Sequence, residues 1–489
     1  MLGELSEHKQ QEFFTPLFLD KLIPEDHILK RVDRILELGW IRDEVRHLYS
    51  ETMGRPSIDP EAAVRLMLAG FFQGIIYDRE LMREAQVNLA IRWFAGFGVE
   101  DELPDHSTLS KLRTRWGIEL FQKIFTSTVH QCIKAGLVDL ETVHVDATLM
   151  RANASWESIT EKYVEKVVEA NDEVEGVEEK PGKKNVKKKK RRKGVKKGKT
   201  RKVKVSRTDP DSSVTKSTRF DKPQPRYKVN AAVDNKSGVV VDVFVTTGKT
   251  AEASVLVEQI DRIEKVTGVR PSKVTADTSY STGENYEELE KREIKPVIPT
   301  RRLPRQGSRF PVMRFKYDAK HNLVKCPAGK KLVKGRRKDD KGYAYRADPG
   351  DCRKCKFRSE CFSHKQHARE VLIVDGYPSL LRARRRNVES PVSQSEEYKR
   401  HKWLVEGRHG EAKTRHGQAR ASRRGIVQVA IQVFLTNAVM NLKRLAGPSI
   451  KGFGDLPLHV AGFCHYLATL DLLRTSNPHL KLSLPAYSN

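Results

Sequence analysis

Three acidic residues stand where a sequence can give acids work to do. In "ETVHVDATLMRANAS" (141–155) an alternating apolar run, Val143 and Val145, reads as a strand that stops at Asp146. In "SKVTADTSY" a second short strand stops at Asp277. The helical segment "EEYKRHKWLVEGRHGEAKTRHG" carries Glu406, with Lys402, His409 and Lys413 at −4, +3 and +7 on its face. Glu411 is the alternative third acid. Each has a plain structural reading too: an aspartate after a strand turns or caps the chain, and a helical glutamate is solvated. Two strands and a following helix in this order can bring the three acids together over one mixed sheet. Three converging carboxylates repel each other unless cations neutralise them. Hard oxygen donors suit Mg2+ or Mn2+, which keep positions open for water and phosphate oxygens. Two such ions, about 3.5–4 Å apart, stabilise the attacking and leaving oxygens of a phosphodiester displacement.

Cysteines form a second constellation. Cys326, Cys352, Cys355 and Cys361 read C-x25-C-x2-C-x5-C. Two thiolates two residues apart can share a tetrahedral ion, so the set reads as structural Zn2+ or as buried free thiols. "CPAGK" at Cys326 has the look of a knuckle turn, and His364 is a substitute ligand. Cys132 and Cys464 sit in apolar helical contexts and read as core.

The elements that would position these groups follow from patterning. Residues 1–135 read as helices. In "SIDPEAAVRLMLAGFFQGII" Asp59 is placed to cap and Pro60 suits the first helical position. "DRELMREAQVNLAIRWFAGF" reads as one helix. "DHSTLSKLRTRWG" reads as a short one, capped by Ser107 and carrying Lys111, Arg113 and Arg115. Helices in series ending in a basic one suggest a helix-turn-helix-like DNA binder; the plain alternative is a bundle with a solvated basic face. Residues 157–217 turn first acidic and then basic and read as a disordered insertion. "RYKVNAAVDNKSGVVVDVFVTTG" is a hairpin, "TAEASVLVEQIDRIEKVTG" an amphipathic helix ending near Gly268, and "IKPVIPT" a further strand. Residues 301–394 form a basic, cysteine-bearing insertion. "RGIVQVAIQVFLTNAVMNLKRLAG" is an apolar helix with interspersed Gln and Asn, and 448–489 holds one more helix.

The 489 residues, 38% hydrophobic, suffice for two or three domains. A net charge of +28 argues for a polyanionic partner, nucleic acid before an anionic membrane. Lys180 to Arg207 holds 17 Lys or Arg and no acid, more than half of that net charge, and reads as a phosphate-contacting segment. No apolar run reads as a membrane span, and the N-terminus lacks the basic-then-apolar pattern of a signal peptide. The clustered cysteines fit a reducing cytoplasm better than a secreted disulfide framework.

Taken together, "HVDATLMRANAS", "SRTDPDSS" with "YKVNAAVD", "TADTSYST" and "VEGRHGEAK" resemble the segments of bacterial insertion-sequence transposases of the DDE class. The resemblance covers nearly the whole chain. It implies a ribonuclease H-like core over 136–156, 218–300 and 395–447, after an all-α DNA-binding domain. It implies catalysis and Mg2+ (or Mn2+) binding by Asp146, Asp277 and Glu406. The family's glutamate is followed by six residues and a lysine, which here are Glu406 and Lys413. Its Tyr and Arg, seven and four residues before the glutamate, are replaced by Lys399 and Lys402, with Tyr398 one residue out of register. Lys402, Arg408 and Lys413 become phosphate contacts. The implied activity is cleavage at terminal inverted repeats and strand transfer into target DNA. A homo-oligomer assembled on DNA and a place on the bacterial nucleoid are also implied. The rival readings are a DNA-binding descendant without catalysis and a metal-dependent nuclease without strand transfer.

Overall fold

A computed structural model describes residues 18–50, 57–164, 201–216, 221–301, 310–338, 341–362 and 366–447. Seven helices come first: α1 Leu19–Leu22, α2 Ile28–Asp33, α3 Ile41–Arg46, α4 Pro60–Gln73, α5 Asp78–Val87, α6 Leu89–Phe94 and α7 His106–Lys134. The start signal of α4 holds: the Asp59 carboxylate accepts from the Glu61 and Ala62 amides, and Pro60 occupies the first turn. The helix expected after it is two. Asn88 is extended, and its side chain caps α6 by accepting from Ala90 and Ile91. A new cap satisfies amides that an unbroken helix would have bonded internally. For α7 the cap is Asp105, not Ser107, and the helix is long, broken only where Gly117 takes φ +73°.

The central sheet starts with β1 Thr142–Arg151. Then come β2 Ile159–Val164, β3 Arg201–Ser206, β4 Ser213–Thr215, β5 Gln224–Asp234, β6 Val240–Thr247, β7 Lys273–Thr275 and β8 Lys295–Val297. Helix α8, Leu256–Thr267, links β6 to β7, and α9, Gly283–Lys291, links β7 to β8. β1 lies antiparallel to β5 and parallel to β7, β7 is parallel to β8, and β6 is antiparallel to β5. Three antiparallel strands continued by two parallel ones make the expected ribonuclease H-like mixed sheet. Two corrections follow. β1 does not stop at Asp146; its pairing with β5 runs on to Arg151. The 157–217 insertion is not irregular throughout: β2, β3 and β4 extend the sheet beside the first residues of β5. Strand pairing needs backbone hydrogen bonds, not apolar side chains, and small polar groups close this junction. Ser158 and Ser206 share a hydroxyl contact at 2.8 Å, and buried Asp209 accepts from the Tyr227 hydroxyl and the Gly425 amide. Most of the basic run lies outside the described residues, as do His364, Cys464 and the 448–489 segment.

The 301–394 insertion has its own antiparallel sheet: β9 Lys316–Asp318, β10 Leu323–Lys325, β11 Lys331–Lys338, β12 Gly342–Ala347 and β13 Glu370–Val374. Short helices α10 Pro349–Arg353 and α11 Arg358–Cys361 carry three of the cysteines with the turn between them. A helix the sequence hid, α12 Tyr377–Glu389, follows. Its apolar stripe is thin, with Tyr377, Leu380 and Ala383 buried, and its arginines reach α9, where Arg382 pairs with Glu290 at 2.5 Å. Backbone meets backbone here. A Cβ on Gly283 would fall 2.1 Å from the Asp375 carbonyl, and one on Gly376 would fall 2.2 Å from Gly283.

The chain closes with α13 Glu396–Arg415 and α14 Ile426–Leu445. By length and composition α14 could cross a membrane, contrary to the sequence reading, but most of it is buried, packed on α7 and β6. Its polar residues explain that place. The Asn441 amide bonds both the N–H and the C=O of Val240, each at 2.9 Å. Gln432 donates to Gly417 and Arg420 carbonyls and accepts from Ser422. One buried carboxylate joins the helical region to the segment after α13. Asp78 takes a bidentate pair from Arg113 at 2.9 and 3.0 Å and a further bond from Arg423. Asp78→Ala strands two arginines and should cost about 3–5 kcal/mol, read as a lower midpoint of urea unfolding.

Candidate active site

Alternation along β1 decides which side chains face α13. His144, Asp146 and Thr148 point to it; Val143 and Val145 point the other way into the core. Helix and strand meet in three rungs running in the same direction. At the first, Thr275 on β7 bridges two buried histidines, His144 and His401, whose rings lie 5.6 Å apart. At the second, His409 Nε2 lies 3.6 Å from Asp146 Oδ2, too far for a hydrogen bond. At the third, the Lys413 ammonium donates to Thr148 Oγ1. Burial pushes the His401 imidazole down to about 4, with His144 and His409 adding to it against the pull of Asp146. Burial works to raise the Asp146 carboxyl, but contact with His409 and the Ala147 amide outweigh it, so its pKa is lowered.

Asp277 lies two residues beyond β7 and caps a 3-10 turn, Thr278–Tyr280. Its Oδ1 accepts from the Ser279 amide at 2.7 Å and faces the Ser279 hydroxyl at 2.5 Å. Tyr280 is fully buried, and its hydroxyl has no hydrogen bond. Burial raises its pKa well above the ordinary value, and the charges of Asp146, Glu252 and Asp277 add to that. Burial and then Asp277 and Asp146 raise Tyr398 in the same way. Asp146 lies on β1, and Asp277 follows β7, the strand paired parallel to the start of β1. Glu406 is exposed, one turn before His409 and about 60° around the helix from it. Among the described residues, no three His, Cys, Asp or Glu side chains form a group ready to hold a metal ion. Asp146 and Asp277 supply donors of the right chemistry for a hard divalent ion; the third acid is not gathered to them.

Two family models match the chain: "Transposase domain (DUF772)" over residues 17–115 and "Transposase DDE domain" over 325–446. The chain thus carries two segments that match transposase domains, the second of the DDE type. A cryo-EM structure of a piggyBac transposase synaptic complex with hairpin DNA is 13% identical. That alignment covers 90% of this chain and 85% of that one, with a TM-score of 0.28, and nothing is transferred from it. No curated protein matches.

Several cations read from the transposase sequence as DNA contacts are otherwise engaged. Arg113 is buried on Asp78, so it is not presented to DNA. Its partner lies on another helix, which spacing alone does not reveal. Arg115 is exposed and rests over the Tyr49 ring at 4.9 Å, and Lys111 is exposed. Arg408 is half-buried and bound to Glu411 at 2.9 Å. Lys402 is exposed over Tyr398.

Cys326, Cys352, Cys355 and Cys361 are all without disulfide partners, Cys352 and Cys361 buried and the other two half-buried. Cys326 sits in a tight turn, its sulfur accepting from the Lys330 amide at 3.3 Å. Burial pushes the Cys361 thiol up to about 11; Arg369 opposes this, and Cys352, Cys326 and Cys355 add to it. Among the described residues the four thiols do not form a closed ligand set.

Glu411, the alternative third acid, faces α14 instead of Asp146. It binds Lys443 at 2.6 Å and both Arg408 and Arg444 at 2.9 Å. Burial would raise its pKa, yet bonds from His416 and Lys443 and nearby charges lower it from 4.5 to about 2. The carboxylate therefore stabilises the fold fully above pH 4.5, and this is lost as the pH falls toward 2. Glu411→Gln should cost about 2 kcal/mol at neutral pH and flatten the acid limb of a stability–pH curve over that window.

Proposed function

We propose that this transposase cleaves DNA at the terminal inverted repeats of its element and joins the freed 3′ ends to target DNA. Asp146, Asp277 and Glu406 would hold divalent magnesium or manganese. The observation that carries this reading is that Asp146 stands on β1 against α13 while Asp277 follows β7, the strand paired parallel to the start of β1. Ions bound there would activate a nucleophilic water or hydroxyl and stabilise the leaving oxygen. The chain's own part is orientation. Ser279 ties one oxygen of Asp277, and the three rungs fix α13 along β1; Glu406, exposed on that helix, would have to turn toward the aspartates when the ions bind. Lys402, exposed on that helix, is the phosphate contact the geometry leaves free to reach DNA. Lys111 and Arg115 are the exposed cations of the helical region proposed to lie on the repeat. Two DNA ends processed together imply a homo-oligomer.

Asp146→Asn, Asp277→Asn and Glu406→Gln should each lower cleavage at least a hundredfold while DNA affinity in a gel-shift assay stays within about twofold. Glu411→Gln, assayed well below its melting temperature, should keep cleaving. The reverse pattern at positions 406 and 411 would reassign the third acid. A binding-only descendant is the second reading, favoured by the exposure of Glu406; wild-type protein that binds but never cleaves would establish it.

We also propose that Cys326, Cys352, Cys355 and Cys361 hold a structural zinc. Support comes from the C-x2-C spacing of Cys352 and Cys355 and from the Cys326 turn. Protein purified without chelator should carry about one zinc per chain by elemental analysis. Metal-free protein with an unchanged melting temperature would refute it.

A further inference from the structure

A second acid works beside Asp277 in this structure, and it is not on α13. Glu252 opens the 3-10 turn Glu252–Val255 that follows β6. In the sequence it looks like an ordinary acid in the first turn of a helical segment. Its Oε1 accepts from Lys228 on β5 at 2.9 Å, and Lys228 also donates to the Thr250 carbonyl at 2.8 Å. Its Oε2 accepts from the Ser279 hydroxyl. That is the same hydroxyl that lies 2.5 Å from Asp277 Oδ1. A serine has one proton to donate, so two carboxylates compete for it, while the Ser279 amide stays with Asp277.

We propose that Glu252 is a positioning residue of the catalytic site, acting through Ser279 on Asp277. This rests on the reading of Asp277 as a metal ligand. Both Glu252 oxygens are engaged, one by Lys228 and one by Ser279, so its carboxylate is held in place on both sides. Its role is to hold Ser279 so that Asp277 keeps Oδ1 tied and Oδ2 available. With a cation bound, Asp277 would be a poorer acceptor, and the Ser279 hydroxyl would turn toward Glu252, its proton staying on Ser279 and no covalent bond changing. The backbone of this loop is fixed separately. Arg301 binds the Thr278 and Ser279 carbonyls at 3.0 and 3.1 Å, and Asn285 binds those of Ala253 and Tyr280, both at 3.0 Å. Loss of Glu252 should therefore disturb side-chain placement and leave the fold in place.

The test is Mn2+ titration of the full-length chain, followed by the EPR signal of the free ion. Glu252→Gln and Ser279→Ala should each weaken Mn2+ binding about tenfold, the effect typical of groups that orient metal ligands. The double variant should be no weaker than the weaker single, because both act through one hydroxyl. Ser279→Thr, which keeps the hydroxyl, should bind within about twofold of wild type if the hydroxyl is what matters. Wild-type binding by Glu252→Gln, or multiplied losses in the double variant, overturns the proposal. Asp277→Asn separates the two levels. If it also binds like wild type, the metal reading of the site fails and this role falls with it. If it loses binding while Glu252→Gln does not, only the positioning role is lost.

Discussion

The site depends on the register of β1. That strand is bonded on both edges, antiparallel to β5 along nearly its whole length and parallel to β7 at its start. With a side-chain period of two, a slip of one residue would turn Asp146 into the core and present Val145 to α13. Double pairing makes such a slip costly, because it breaks two ladders at once. Val143 and Val145, buried on the opposite face, oppose it as well. The carboxylate therefore owes its direction to hydrogen bonds made by its neighbours, while Asp277, two residues beyond β7, is set by the turn that it caps.

Helix α13 must then be held over this strand against the repulsion of its own charges. The solution is a division of labour around its circumference. One side offers His401, His409 and Lys413 to β1. Another offers Glu411 to three cations from α13 and α14. Glu411 reads in sequence as a rival catalytic acid, yet its neighbours make it an anchor. Asn441 and Gln432 complete the docking by bonding backbone groups that an all-apolar helix would have left without partners.

Local signals in the sequence were readable where cause and effect are close along the chain. Asp59 before Pro60, the β5–β6 hairpin and the Gly268 stop of α8 are all of this kind. The resemblance to DDE transposases points to Asp146 and Asp277 at the ends of strands that could be neighbours; β1 and β7 are parallel neighbours, though β1 runs on past Asp146 and Asp277 lies two residues beyond β7. What stayed hidden depends on distant partners. Arg113 looks like a DNA contact until Asp78 is found beside it. Glu252 gives no signal until Ser279 joins it to Asp277. Helix α12 was masked by its arginines, whose partner Glu290 lies on α9, and β2 to β4 were masked by a composition with little to bury.

The meeting of Gly283 and Gly376 ties the cysteine module to the loop that carries Asp277. Neither position has room for a side chain, so both glycines are fixed by the same few ångströms of space. Within a lineage, the module's outer strands can lengthen or diverge at little expense, while this one joint must be inherited as a pair. A foreign domain grafted between β8 and α13 would fit only if it brought its own glycine to the joint.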